Sequence, residues 1–134
     1  MNDDAMEVSP DESRPAVEGP ADTFTGKVSL KPLFDPNAAR TTRGAEVTFS
    51  PCARTAWHSH DGGQTLVVLE GHGLVQSRGE AVVELHAGDV HRTAHAVEHW
   101  HGSAPGHFMA HLSITQGPPT WGDHVTDTEY GTTG

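Results

Sequence analysis

The strongest constraint on the fold is a series of short segments in which apolar and polar residues alternate. Ala45, Val47 and Phe49, for example, are separated by polar residues and share one face of an extended chain. We predict strands over residues 25–32, 44–50, 54–60, 64–70, 73–78, 81–85, 89–93, 97–101 and 107–115. Turns rich in Gly, Pro and Asp separate them at intervals of roughly ten residues, as in β-sandwiches and barrels. The only helical turn expected lies near residues 123–130. The sequence therefore predicts an all-β fold, an antiparallel barrel or jelly roll.

The first 20 residues have a different character. They carry six acidic residues, one arginine and three prolines, without any regular apolar spacing. Such a composition is typical of disorder, so we expect residues 1–20 to form a disordered acidic leader. Residues 21–134 then form one β-barrel domain, a usual size for a single domain.

Composition excludes several classes of function. A net charge of −10 without a basic run argues against binding to nucleic acid or to an anionic membrane. No apolar stretch approaches the roughly 18 residues of a membrane-spanning helix, and the acidic start is unlike a signal peptide. We therefore expect a cytoplasmic protein. Cys52 is the only cysteine, so an intrachain disulfide and a cysteine zinc cluster are impossible.

Histidine is the unusual residue, since 11 histidines outnumber the 8 lysines and arginines. His58 and His60 share one side of a strand, as do His99 and His101. Gln64 follows His60 across a Gly-rich turn. If His58, His60 and His99 face the barrel interior with Gln64, they could bind a divalent metal. The amide oxygen favours Mn(II) or Fe(II), although Zn(II) and Ni(II) also suit such ligands. The alternative is that these histidines are ordinary polar-face residues.

A further histidine, His111, lies in an apolar strand on the same face as Met109 and Ser113. There it could act as a general base, because its ordinary pKa lies near neutrality. A structural, hydrogen-bonded histidine is the equally simple alternative. His101 is expected to be a second pocket histidine and a second catalytic residue. The remaining six are interpreted as surface residues without a shared role: His72, His86, His91, His95, His107 and His124.

Two stretches resemble the motifs of the cupin family. The first family motif, G-x5-H-x-H-x3-E-x6-G, corresponds to residues 52–71, with Cys52 in place of the first glycine and Gln64 in place of the glutamate. The second, G-x5-P-x-G-x2-H-x3-N, corresponds to residues 88–103. Its spacing is kept, but Ala94, Ala96 and Ser103 replace the proline, the second glycine and the asparagine. The resemblance implies a double-stranded β-helix, the jelly-roll barrel of cupins.

A narrower resemblance covers residues 19–130. Residues 19–26, 53–60, 63–66, 98–102 and 123–127 are similar to small bacterial monocupins, which include manganese-dependent hydroxynitrile lyases and carboxymuconolactone-decarboxylase-like proteins. In the lyases three histidines and a glutamine hold the metal, and these correspond to His58, His60, Gln64 and His99. The histidine proposed as their base corresponds to His111. Their pocket positions correspond to Ala45, Val47, Thr55 and Thr115, and Phe49 and Met109 would extend the apolar lining.

These features predict a metal-dependent lyase acting on a small hydroxynitrile or hydroxycarbonyl substrate. Four neutral ligands would leave the charge of a divalent ion uncompensated and make it a strong Lewis acid. Two alternatives stay open: a non-haem iron dioxygenase or other oxidative or isomerising enzyme, and a non-catalytic metal- or ligand-binding cupin. By analogy with small cupins we also expect a homodimer or homotetramer.

Overall fold

The computed structural model describes residues 6–131, and within them β-strands predominate. The strands are β1 (Val17–Glu18), β2 (Phe24–Thr25), β3 (Val28–Phe34), β4 (Thr42–Phe49), β5 (Arg54–Thr55), β6 (His58–His60), β7 (Gln64–Ser77), β8 (Val83–His86), β9 (Val90–Thr93), β10 (His99–Ser103), β11 (Met109–Gln116) and β12 (Pro119–Trp121). A 3-10 turn covers Asp11–Ser13, and one helix, α1, covers Asp127–Gly131. The predicted all-β class is confirmed.

The strands form one curled antiparallel sheet in the order β1-β3-β4-β11-β7-β10-β5-β2. Strands β8 and β9 also pair with β7, and β6 pairs with both β10 and β12. Sequence neighbours are therefore often far apart in the sheet. This arrangement is the predicted jelly roll, and it brings β6, β7, β10 and β11 around one interior.

Strand β7 holds the two halves of the sheet together. Its first part pairs with β9 and β11, and its second part pairs with β8 and β10. The sequence predicted two strands separated by a turn at residues 71–73, but β7 is continuous. Gly71 makes this possible, because its φ is +85° and a Cβ there would overlap the carbonyl oxygen of Phe108. The chain bends at Gly71 and the ladder continues.

The core has two parts. One contains Val47, Phe49 and Met109 beneath β3, β4 and β11, and the other surrounds Trp57 and Trp100. The predicted apolar face of β4 is confirmed for Val47 and Phe49, which are buried, while Ala45 packs against the first part of the core.

Helix α1 lies beside the second core. The expected helical turn is present but shorter, because a capping box sets its start after Thr126 rather than at residue 123. In this box Glu129 N donates to Thr126 Oγ1, and Thr126 N donates to Glu129 Oε1. Tyr130 then donates its hydroxyl to Ser103 O at 2.7 Å. Within residues 6–131, no helix is long and apolar enough to cross a bilayer.

The acidic leader differs in part from the expected disorder. Residues 1–5 lie outside the described residues. Val17 and Glu18, however, pair with Leu30 and Ser29 of β3, and Arg14 Nη1 donates to Pro32 O at 2.8 Å. The unpaired edge of β3 offers backbone hydrogen bonds to any adjacent segment, and side-chain periodicity does not reveal this. The domain boundary at residue 20 stays a prediction.

Candidate metal centre

Three buried imidazoles come together where β6 meets β10. His58 and His60 lie on β6, and His99 on β10 is the register partner of His58. One ring nitrogen from each of the three lies within 4.8 Å of the others, and the ring centroids of His58 and His99 are 4.4 Å apart. The spacing in sequence thus becomes a cluster of three nitrogen donors in the barrel interior.

Backbone carbonyls orient two of these rings. His58 Nδ1 lies 2.9 Å from Ala56 O, and His99 Nδ1 lies 3.0 Å from Val97 O. A carbonyl can only accept, so in each ring Nδ1 carries the hydrogen and Nε2 keeps its lone pair. Fixing a tautomer through the other ring nitrogen is what proteins commonly do for metal-binding histidines.

Gln64, the first residue of β7, adds an oxygen to the cluster. Its Nε2 donates to Ser113 Oγ at 2.8 Å, which directs Oε1 to within 2.9 Å of His99 Nε2. With His99 Nδ1 protonated, two lone-pair atoms face each other. Two such atoms at this distance suit coordination of one shared cation, and burial lowers the pKa of His99, which disfavours a proton there. The donor set therefore fits a metal cation.

The protonation state of the cluster also suits a cation. Burial, followed by the charge of His99, lowers the pKa of His58 to about 3 and of His60 to about 4. Both rings are therefore neutral at pH 7, and a metal ion displaces no proton from them. Both ring nitrogens of His60 are buried without a hydrogen-bond partner, so the lone pair of this imidazole is free to bind a cation.

A second histidine pair lies beside the cluster. His101 is completely buried, with ring centroids 5.3 Å from His58 and 5.7 Å from His99. His111 lies behind it, and His111 Nε2 is 3.0 Å from His101 Nδ1. Burial lowers the pKa of His111 to about 4 and that of His101 well below its ordinary value. The two predicted catalytic histidines are thus hydrogen-bonded, with His101 nearer the three-histidine cluster.

The predicted pocket residues divide between interior and mouth. The β4–β11 register pairs Ala45 with Ser113, Val47 with His111 and Phe49 with Met109. Phe49 and Met109 are fully buried core residues, and the Phe49 ring lies 5.4 Å from His111. Thr55 is also buried, and its Oγ1 accepts from His101 N at 3.2 Å.

The mouth is a cavity of about 450 Å³ beside His60. Of the predicted pocket residues, Thr115 lines it, and Arg43 lines it as well. The other lining residues are Pro36, Thr41, Gly117, Pro118 and Pro119. Because His60 of the three-histidine cluster lines this cavity, it gives a small molecule a path toward the cluster.

Three residues at the site were not anticipated from the sequence. Ser113 was placed on the His111 face, but its bond to Gln64 was not foreseen. Trp121 of β12 is the register partner of His58, with rings 4.7 Å apart, and no local pattern predicts that contact. His91 was interpreted as an incidental surface residue, yet it lies opposite Leu66 on β7 with a buried, unpartnered Nδ1. The i, i+2 spacing of His91 and Thr93 in β9 was the sequence feature that could have indicated an inward-facing histidine.

Comparison with known proteins identifies the family. Residues 45–114 match the family model described as "Cupin domain". The chain is also 46% identical over 129 residues to a protein named (R)-mandelonitrile lyase from Granulicella tundricola, covering 93% of this chain and 98% of the relative. This chain belongs to the cupin family. The resemblance inferred from the motifs at residues 52–71 and 88–103 is confirmed.

Solved structures agree with the cupin fold. A cupin-like protein from Thermotoga maritima is 40% identical, with a TM-score of 0.86, and the alignment covers 98% of this chain and 97% of that one. A putative acetylacetone dioxygenase from Methylibium petroleiphilum has a TM-score of 0.74 over 92% of this cupin and 85% of that chain. At 16% identity the second match shows the fold alone.

Proposed function

We propose that this cupin is a metal-dependent lyase that cleaves an α-hydroxynitrile of the mandelonitrile class into an aldehyde and hydrogen cyanide. The observation that carries the proposal is the buried set of three imidazoles and one amide oxygen, with a histidine pair in contact with it. The near-full-length similarity to a protein named (R)-mandelonitrile lyase supports the substrate class.

The residues that would hold the metal are His58, His60, Gln64 and His99. All four ligands are neutral, and Mn(II) or Fe(II) suits this combination of nitrogen and amide oxygen. When bound, the ion supplies Lewis-acid chemistry: it lowers the pKa of a substrate hydroxyl and offsets negative charge developing on its oxygen.

His101 and His111 would handle the substrate proton. His101 Nε2 is buried without a partner, while its Nδ1 is bonded to His111 Nε2. When His101 Nε2 takes the hydroxyl proton, the hydrogen on its Nδ1 can pass to His111, so the positive charge is shared. The C–O bond becomes a carbonyl, the C–C bond breaks, and its electron pair leaves with cyanide. His101 and His111 then return the proton to cyanide, which gives hydrogen cyanide.

The apolar surroundings would strengthen this chemistry. Phe49 packs against both rings of the pair, with centroids 5.9 Å from His101 and 5.4 Å from His111. Water exclusion lowers the local dielectric and makes charge interactions stronger. An aromatic substrate would approach through the cavity beside His60 and Thr115.

The test is mandelonitrile cleavage by metal-stripped protein and by protein reloaded with Mn(II) or Fe(II), followed through benzaldehyde absorbance. We expect activity only in the reloaded protein, its loss in His99→Ala, and a fall in kcat of about 10²-fold or more in His101→Ala. His124→Ala, a change of an exposed histidine, is the matched control and should retain full activity.

Two results would overturn the proposal. One is equal cleavage with and without metal. The other is absence of cleavage together with oxygen consumption by the iron-loaded protein on a diketone or phenol, which would support the dioxygenase alternative instead. Metal binding without either activity would support a non-catalytic cupin.

A further inference from the structure

A second group of potential metal ligands lies at the bend of β7, and it shares no residue with the three-histidine cluster. His72 on β7 is the register partner of His86 on β8. Glu84 lies two residues before His86, so it projects from the same face of β8. One ligand atom from each of His72, Glu84 and His86 lies within 4.8 Å of the other two.

His72 is the unusual member of this group. Its Nε2 is sealed from solvent and has no hydrogen-bond partner. The closest acidic atom is Glu84 Oε1 at 3.8 Å, which is too long for a hydrogen bond. A buried polar atom without a partner costs free energy. A cation placed between the imidazole and the carboxylate would satisfy both.

The neighbouring groups suit a cation as well. The rings of His72 and His86 are stacked with centroids 4.6 Å apart, and the His107 ring lies 5.1 Å from His72. Asp89 Oδ2 accepts from His86 N at 2.7 Å and lies 3.8 Å from His86 Nδ1. This carboxylate fixes the backbone at His86 and adds negative charge beside the group, which favours a bound cation.

We propose that His72, Glu84 and His86 form a second metal site, which takes a borderline divalent ion such as Zn²⁺ and links β7 to β8. Two imidazole nitrogens and one carboxylate oxygen form a donor set common in zinc proteins. The His107 ring, in the connection between β10 and β11, lies beside His72 but outside this set of three ligand atoms. A bound ion would then hold β7 and β8 together beside the bend at Gly71.

This proposal changes the interpretation of two histidines. The sequence indicated no shared role for His72 and His86, because their positions are 14 residues apart. Only the antiparallel pairing of β7 with β8 brings His72 and His86 together.

The test is calorimetric titration of the metal-stripped full chain with Zn²⁺. We expect His86→Ala and Glu84→Gln to bind one Zn²⁺ fewer than the wild type, or to bind that ion at least about tenfold more weakly, equivalent to about 1.4 kcal/mol. Both residues are largely exposed, at 61% and 65% of the side chain, so the variants should fold. His124→Ala, an exposed histidine outside both clusters, should bind as the wild type does.

A second measurement separates this site from the first. In a His99→Ala background, Zn²⁺ should still raise the Tm, and adding His86→Ala should abolish that rise. The proposal is overturned if His86→Ala binds as many Zn²⁺ ions as the wild type with affinities within twofold. It is also overturned if all Zn²⁺ binding disappears in His99→Ala. Neither readout depends on hydroxynitrile cleavage, so the two proposals stand or fall separately.

Discussion

The orientation of a single amide determines which atom Gln64 offers to a metal. Ser113 Oγ accepts from Gln64 Nε2 at 2.8 Å and thereby directs the oxygen toward His99. Ser113→Ala removes this contact, so the amide can rotate and present its NH₂ group instead. We expect metal affinity to fall by about 10- to 100-fold, the usual cost of losing a group that orients a ligand. Titration of the metal-stripped variant with Mn(II) measures it.

The control keeps the hydroxyl group. Ser113→Thr can still accept from Gln64 and should restore affinity to within a few-fold of the wild type. A purely structural role for Ser113 would lower the free energy of unfolding of the metal-free protein while leaving Mn(II) affinity unchanged, and that result would contradict the prediction.

Backbone strain at single residues follows the same cupin motifs. Cys52 and Ala96 are the two non-glycine residues with positive φ among those described, at 69° and 60°. Both stand where the cupin motifs carry glycine, so the fold keeps the left-handed backbone although the residue has changed. A non-glycine residue in this left-handed conformation destabilises the folded state by roughly 1–2 kcal/mol. Glycine removes the clash of the Cβ atom and so recovers part of this free energy.

We therefore expect Ala96→Gly to raise the free energy of unfolding by about 0.5–1 kcal/mol. Denaturant unfolding of the metal-free protein measures it. Ala87→Gly is the matched control, since Ala87 lies in a turn without positive φ, and it should be neutral or destabilising. Equal effects of the two substitutions would mean that the strain at Ala96 is negligible. Ala96 N also donates to His60 O at 2.9 Å, so this loop supports β6, which carries His58 and His60.

At the scale of elements, local periodicity predicts which face a residue occupies but not which strand lies beside it. The i, i+2 spacing correctly placed His58 with His60, and His111 with Ser113. It could not predict that β12 brings Trp121 opposite His58, because that pairing joins segments about 60 residues apart. The continuity of β7 was missed for a related reason: glycine marks turns and also allows bends within a strand.

The motif spacing carried more information than propensity did. It indicated the ligand set at His58, His60, Gln64 and His99, and the structure brings those four side chains together. The hydrogen-bonded supports of that set, Ala56 O, Val97 O and Ser113 Oγ, have no sequence signature, since two are backbone atoms and serine is common in strands.

At the scale of the whole molecule, a barrel that holds neutral histidines in its interior must lose stability in acid. Burial lowers the pKa of His58 to about 3 and of His60 and His111 to about 4, whereas an unfolded histidine titrates near 6.5. As pH falls from 7 to 4, the unfolded chain takes up protons that the folded chain does not. The free energy of unfolding therefore falls through this window, on the order of 3 kcal/mol for the fully buried His111 alone.

Equilibrium unfolding of the metal-stripped protein in chelator, measured from pH 7 to pH 4, tests this expectation. In His111→Gln the free energy of unfolding should fall less steeply with decreasing pH near pH 5, because one buried histidine no longer contributes to the slope. His124→Ala, a change of an exposed histidine, is the control and should give the wild-type dependence on pH. A free energy of unfolding that stays constant across this range would contradict the expectation, because it would mean that the interior histidines take up protons in the folded protein as readily as in the unfolded chain.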